Sequence, residues 1–341
     1  MDAQIALLLG QDGLVNGAIY GLMAVALVLV FSVTRVIFIP QGELVAYGAL
    51  TMAALDGGRT PATLWLLIAM AAAVLVVEII RARTARPVDW RATLSWTVVL
   101  PAIAATLVAW RPAAPVLQAL TTVCLITPIG PLLYRLAFRP LAEATVLTLL
   151  IVAVALHGVL VGLGLLFFGA EGSRTPPIWD ARFDLAGMSV TAQSMLVVLT
   201  AVLLVAALFL FFERSMIGKA LRATAMNRLG ARLMGIPTSL SGDISFALSA
   251  AIAAISGLLI APITTVYYDT GFLIGLKGFV AAIIGGLASF PLALAGAVLV
   301  GMIESFSSFW ASAWKEVIVF ALVVPVLWWR SRRSAPVEDE S

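Results

Sequence analysis

Cysteine, histidine and charge are nearly missing from this chain. Of its 341 residues one is cysteine, one is histidine and only 11% are charged. A lone thiol, Cys124, cannot close a disulfide within the chain. One histidine and one cysteine are too few for the usual zinc ligand sets, so no metal site is expected. His157 alone also excludes an HExxH metalloprotease; it lies in an apolar run beside Gly158 and reads as a packed or hydrogen-bonded helix residue. No phosphate-binding loop is present. Gly218-Lys219 lacks both the upstream glycine at the required spacing and a following Ser or Thr, so the chain is not expected to hydrolyse ATP. There is no Gly-x-Ser-x-Gly elbow. Asp243 and Asp269 lie at the ends of apolar runs, which weakens a reading as an intramembrane aspartyl protease. Nothing favours nucleic acid as a partner. These absences predict a chain that is not an enzyme and holds no cofactor of its own.

What the sequence has instead is apolar length. It is 62% hydrophobic, and apolar runs of spanning length recur from end to end. Barrel strands would alternate over about ten residues, which these runs do not. The pattern predicts an all-α polytopic transmembrane bundle of about eight to ten membrane segments, forming one domain over 1–341 with membrane lipid around it. The first run, 12–34, has Asp2 rather than a basic stretch ahead of it and is not read as a cleavable signal. Its Asn16, Gly17, Tyr20 and Gly21 suit close helix contact.

Two places look like broken helices, 38–46 and 277–291. The first holds Pro40 and Gly42, followed by only about twelve apolar residues, and the second holds Gly285, Gly286 and Pro291. Non-helical backbone at membrane depth survives only where protein or a water-filled cavity covers it, and a pair of interrupted segments points to a transport path. The ionisable residues nearest to apolar surroundings are Glu43, Glu78, Lys277 and Glu304. Charges inside a membrane are candidates for function. Glu78 is three residues from Arg81 and reads as a same-face pair; Glu43 and Lys277 fall at the two breaks; Glu304 is unexplained. The candidate path is therefore Gln41, Gly42, Glu43, Lys277, Gly285, Gly286 and Glu304.

Residues 213–238 differ from the rest. Arg214, Lys219, Arg222, Arg228 and Arg232 face a single acid, Glu213. Five cations at a bilayer centre would cost roughly 12–18 kcal/mol, so this segment does not span. Met226, Leu229, Leu233 and Ile236 recur at helical spacing, Asn227 suits an N-cap, Gly235 a C-terminal stop, and Pro237 forbids continuation. One or two short amphipathic helices are predicted, serving either as a solvated inner loop or as a docking surface. The basic stretches 81–91 and 134–140 share its side under the positive-inside rule, as does the tail at 331–341. That leaves 171–189 and 267–271 on the opposite side.

Four stretches together resemble the membrane permease subunit of branched-chain amino acid ABC importers, the LivH-like type. They are GLVNGAIYGLMAVALVLVFSVTRVIFIPQGELVAYGA (13–49), YRLAFRPL (134–141), GKALRATAMNRLGARLMGI (218–236) and GLKGFVAAIIGGLASFPLALAGAVLVGMIES (275–305), followed by WKEVIVFALVVPVL. Gly42 and Glu43 match the family's Gly-Glu turn, but Pro40-Gln41 stands where Ala-His is usual. Three apolar runs stand between that turn and 134–141 where the family usually has one, so a hairpin around 88–114 is an addition that preserves parity.

The resemblance implies half of a pore in a bacterial inner membrane. Cytoplasmic ATPase subunits that bind the ATP would drive it. A LivM-like permease or a second copy would complete it, and a periplasmic or lipid-anchored binding protein would deliver substrate. It makes 213–238 the coupling segment, with Gly218, Ala220, Arg222, Ala223, Leu229, Ala231, Leu233, Gly235 and Ile236 as its matched positions. Urea, short amides or other small polar solutes remain alternative cargo on the same scaffold. An ion-coupled secondary transporter is the alternative class, motivated by Glu43, Glu304 and the paired breaks.

Overall fold

A computed structural model describes residues 3–84, 89–110, 113–185 and 188–333. Residue 88 and residues 111–112 of the 88–114 region, and 334–341 of the tail, lie outside the described residues. Eight described helices are long and apolar enough to cross a membrane, as the run lengths require. They are α1 (Ala3–Thr34), α3 (Thr63–Arg83), α4 (Trp90–Ala109), α5 (Pro115–Leu141), α6 (Val146–Phe168), α7 (Ala192–Arg214), α10 (Thr238–Ile260) and α12 (Phe290–Trp310). Shorter helices are α2 (Gln41–Asp56), α8 (Met216–Met226), α9 (Arg228–Leu233), α11 (Thr270–Ile284), α13 (Lys315–Ala321) and α14 (Val323–Arg333). Between α6 and α7 a small antiparallel pair, β1 (Arg182–Leu185) and β2 (Met188–Thr191), joins Arg182 to Thr191 and Leu185 to Met188.

The core is built on α1 and α2. Small residues let α1 lie directly on α12: Gly13, Gly17 and Gly21 meet Met302, Val298 and Leu294 in turn. The register runs backwards, so the two helices are antiparallel. The end of α1, the start of α12 and α8 share one face, because Arg35, Leu221 and Phe290 border a common cavity. The start of α1 therefore lies on the opposite face.

Beyond Arg35 the chain is not helical until Gln41, and Phe38 is packed between Phe138 and Phe246 at ring distances of 6.0 and 4.8 Å. This covered backbone and the about 24 Å of α2 together complete a crossing. Fourteen residues of α2 are buried, and it ends where the Thr51 and Thr63 hydroxyls meet at 2.9 Å, at the foot of α3. The first break thus lies at 35–40. Helix α2 starts at Gln41 because Pro40, at φ −62°, is already set for entry into a helix.

Two other prolines shape the last third of the chain, and Pro291 does so differently from expectation. Pro291 does not interrupt a span; it sits in the first turn of α12, where its missing N–H costs nothing. Pro325 leaves the Ala321 carbonyl without its helical donor, and the run 317–329 accordingly divides into α13 and α14 at Leu322.

Of the three runs between α2 and 134–141, α5 is a core helix. Its Gly130 lies against the Phe246 carbonyl, and Tyr134 stacks on Phe246 at 5.0 Å. Helices α3 and α4 lie outside it. Pro101 removes the donor to Thr97, and the ladder of α4 widens to a π turn at Ser95–Val99.

Candidate functional site

The 213–238 segment folds as two short helices, within the one or two expected. Ser215 caps α8 by accepting from the Gly218 N–H at 2.8 Å. Asn227 caps α9 by accepting from Gly230 at 2.8 Å. Gly235, at φ +79°, closes α9, with the Ile236 N–H returning to the Ala231 carbonyl at 2.9 Å. That closure is the left-handed glycine stop expected at a helix C-terminus.

The break at Asn227 divides the apolar ridge without hiding it. Met226, Leu229 and Leu233 are 82%, 68% and 80% exposed, and Ile236, beyond the helix, is half-buried. The ridge's underside holds it to the core: Gly218 and Ala231 are buried, while Ala220 and Ala223 are half-buried. At Gly218 a Cβ would lie 2.3 Å from the Phe211 carbonyl oxygen, so α8 turns tightly against the end of α7. Arg228 donates to the Ala142 carbonyl at 3.1 Å, and Arg232 donates to Thr238 Oγ1 at 3.0 Å. These bonds fix α9 beside the basic 134–140 stretch, and Arg222 is left exposed at the flank of α8. The arrangement is a rigid pair of helices presenting bare hydrocarbon among cations.

The residues of the candidate path gather at three separate places. The first is the start of α2. Gln41 is tied to α10 twice: its Nε2 donates to the Ser249 carbonyl at 2.9 Å, and Ser249 Oγ donates to Gln41 Oε1 at 2.5 Å. Gly42 crosses Gly271 of α11 so closely that a Cβ on Gly42 would stand 2.0 Å from the Gly271 carbonyl oxygen. Glu43 Oε1 meets His157 Nδ1 at 2.8 Å, and the imidazole stacks on Phe272 at 4.5 Å. The other oxygen, Glu43 Oε2, is buried without a hydrogen-bond partner among the described residues. Gly42→Ala pushes backbone against backbone, so it is expected to destabilise by about 1–3 kcal/mol, as overpacking does. A melting curve in detergent checks this; an unchanged midpoint would show that the crossing yields freely.

The second place corrects the expectation for Lys277. It is not at a helix break but within α11, buried, and donates from Nζ to Glu304 at 2.6 Å and to Glu316 at 3.1 Å. Tyr20 Oη donates to the other Glu304 oxygen at 2.5 Å. Glu304 is thereby explained as the centre of a ring linking α1, α11, α12 and α13.

The third place is the turn at 285–289, where Gly285 abuts Ala293 and Gly286 takes φ +69°.

Sequence reasoning missed a fourth cluster. Arg135 and Asp243 form a buried fork, with Nε and Nη2 of Arg135 donating to the carboxylate at 2.6 to 3.1 Å, and Arg135 Nη1 reaching Thr93 of α4 at 2.8 Å. Asp243 lies in the second turn of α10, at the inner end of its apolar run as the sequence suggested. Glu78 joins the same face, bonding to Arg139 at 2.8 Å and to Arg81 at 3.4 Å. The Glu78–Arg81 pair is the one expected from their three-residue spacing; for the Arg135–Asp243 fork the sequence carried no signal beyond the arginines of the two basic stretches.

Comparison with known proteins fits this architecture. The family model described as "Branched-chain amino acid transport system / permease component" matches residues 92–327, beginning in the first turn of α4. LivH of Escherichia coli strain K12, a high-affinity branched-chain amino acid transport system permease protein, is 31% identical over 200 residues, covering 57% of this chain and 65% of that one. BraD of Pseudomonas aeruginosa, described in the same words, is 30% identical over 203 residues, covering 58% and 66%. A probable branched-chain amino acid transport permease protein LivH of Methanocaldococcus jannaschii is 30% identical over 192 residues, covering 53% and 60%. The chain thus spans just under two thirds of the length of these relatives. No solved structure matches it significantly. With more than half of its residues inside the family model, this membrane-spanning chain belongs to the family of branched-chain amino acid transport system permease components.

Proposed function

We propose that this chain is the permease subunit of an ABC importer, forming half of a path for branched-chain or related amino acids across a bacterial inner membrane. The observation that carries the proposal is the α8–α9 ridge. Met226, Leu229 and Leu233 are held out from the core by two capped helices, in a segment too basic to enter the bilayer. An apolar helix face of this kind docks in a groove on a partner. The partner class is a pair of cytoplasmic ATPase subunits, since the chain has no phosphate loop of its own.

A second permease subunit, LivM-like or another copy, completes the path, and a periplasmic or lipid-anchored binding protein supplies the cargo. ATP-driven closure moves α8 and α9 as one body. Their bonds to Ala142 and Thr238 carry that motion to the starts of α6 and α10. The path runs by the two interrupted stretches, 35–40 and 285–289, with Gln41, Gly42 and Glu43 at the mouth of the first and Gly285 and Gly286 at the second. Lys277 is held by Glu304 and Glu316 together, so it serves as a brace that ties α11 to α12 and α13. That pairing removes half of the case for an ion-coupled carrier.

The test is reconstitution of the permease pair with its ATPases and binding protein in proteoliposomes. Labelled leucine is expected to enter only with ATP and binding protein present. Entry driven by a proton or sodium gradient through this chain alone would overturn the reading. Uptake of urea or a short amide in place of leucine would keep the machine and change the cargo.

A further inference from the structure

A cavity of about 650 Å³ opens where the inner ends of α1, α7 and α12 diverge above α8. Its size is that of a site for a small ligand, which runs to about 300–1,000 Å³. Helices α7 and α12 both pack on α1, and Phe212 stacks on Phe290 at 5.7 Å between them. The side chains of the wall are hydrocarbon apart from Ser32, with Phe31 and Leu221 among them, and two guanidinium groups border it, Arg35 and Arg222.

Both arginines are exposed, and neither pairs with an acid among the described residues. Arg35 is held in place: it is the left-handed residue (φ +62°) that ends α1, its N–H bonded to the Phe31 carbonyl at 2.8 Å and its guanidinium 5.9 Å from the Phe31 ring. A hydrocarbon slot between membrane helices, rimmed by two uncompensated arginines on the basic face, is complementary to an amphiphile with an anionic head. Arginine suits a phosphate particularly, because its planar fork gives paired charge-assisted bonds. A helix of another subunit would cover the hydrocarbon and leave both charges unanswered. Basic pockets between helices on the cytoplasmic side are suited to lipid headgroups.

We propose that this cavity binds an anionic phospholipid of the inner leaflet, its phosphate between Arg35 and Arg222 and an acyl chain along Phe31, Phe212 and Phe290. The lipid would touch both α8 and the 285–289 turn, since Gly286 and Leu287 line the same space. The leaflet assignment rests on the proposed cytoplasmic position of α8 and α9; the binding site itself does not.

The test uses the isolated full-length permease in mild detergent, so that a failure of ATPase coupling cannot affect it. Native mass spectrometry with added phosphatidylglycerol is expected to show retained lipid, with phosphatidylethanolamine retained at least tenfold less. The double variant Arg35→Gln/Arg222→Gln is expected to lose that preference, and Arg35→Lys/Arg222→Lys to keep most of it. Ala225→Trp, which fills the slot from α8, is expected to reduce retention with both arginines in place, guarding against a folding defect in the double variant. Equal retention of the two lipids by the wild type, or wild-type retention by the glutamine variant, would overturn the proposal. Glycerol 3-phosphate binding as tightly as the lipid would make this a soluble-phosphate site instead. If the glutamine variant keeps its lipid but loses the second permease subunit, the surface is a protein interface and the lipid assignment is wrong.

Discussion

Leu233→Asp is expected to leave a folded, inserted permease whose ATP-dependent uptake falls about a hundredfold. The folding half of the expectation comes from exposure. Leu233 is 80% exposed at the end of α9 and belongs to no buried cluster, so the change costs the isolated chain no more than about 0.5 kcal/mol. The docking half comes from what such a side chain does at an interface. A central apolar anchor is worth about 2–4 kcal/mol when removed, and 1.4 kcal/mol is tenfold in affinity. An aspartate additionally brings a charge into a space that expects hydrocarbon, so the loss stays clear of the lower end of that range, and a hundredfold corresponds to about 2.8 kcal/mol. The measurement is co-purification of the ATPase together with uptake in proteoliposomes, both normalised to permease content. Leu233→Met preserves the hydrocarbon and is expected to retain both. If Leu233→Asp transports like the wild type, α8 and α9 are a solvated loop and the drive enters elsewhere.

What could be read in the sequence about this element was local. Asn227, Gly235 and Pro237 act within a turn of their own positions, and the caps they predict are the caps found. The split at Asn227 was harder to see, because the spacing of Met226, Leu229 and Leu233 is continuous across it. The count of spans was legible because bilayer thickness imposes a minimum length on every apolar run.

The interior pairings were not legible. Glu43 meets His157 across 114 positions, Arg135 meets Asp243 across 108, and Tyr20 meets Glu304 across 284. Apolar periodicity carries no information about which two polar groups share a buried site. Lys277 shows the same limit: nearby Gly285 and Gly286 suggested a break, whereas its environment is set by Glu304 on the next helix and Glu316 beyond it. The side on which the N-terminal end of α1 lies also needed the structure. It follows from the antiparallel register of α1 on α12 and from the covered backbone at 35–40, neither of which hydropathy reports.

The largest effect on stability is expected at Asp243. Its carboxylate takes three hydrogen bonds from Arg135, and the two residues are 2% and 3% exposed. The fork joins α5 to α10, and through Thr93 it reaches α4. Asp243→Ala removes the acid and leaves a buried guanidinium with only the Thr93 hydroxyl. Breaking a buried pair from one side costs about 3–5 kcal/mol, because the surviving charge has lost its compensation without regaining water. In detergent this is expected to lower the apparent melting temperature by about 10 °C and to reduce the amount of monodisperse protein.

The sharper comparison is the double change Arg135→Met/Asp243→Leu, which removes both charges and refills the space with hydrocarbon. If desolvated charge is the dominant cost, this variant recovers most of the lost stability, although each single change is severe. If the double variant is as unstable as Asp243→Ala, the fork contributes through the geometry of the bonds that tie the π turn at Tyr134–Phe138 to Asp243 and to Thr93, not through charge balance. The two outcomes assign the junction of α4, α5 and α10 to different physical causes, and one melting experiment on the wild type and these two variants separates them.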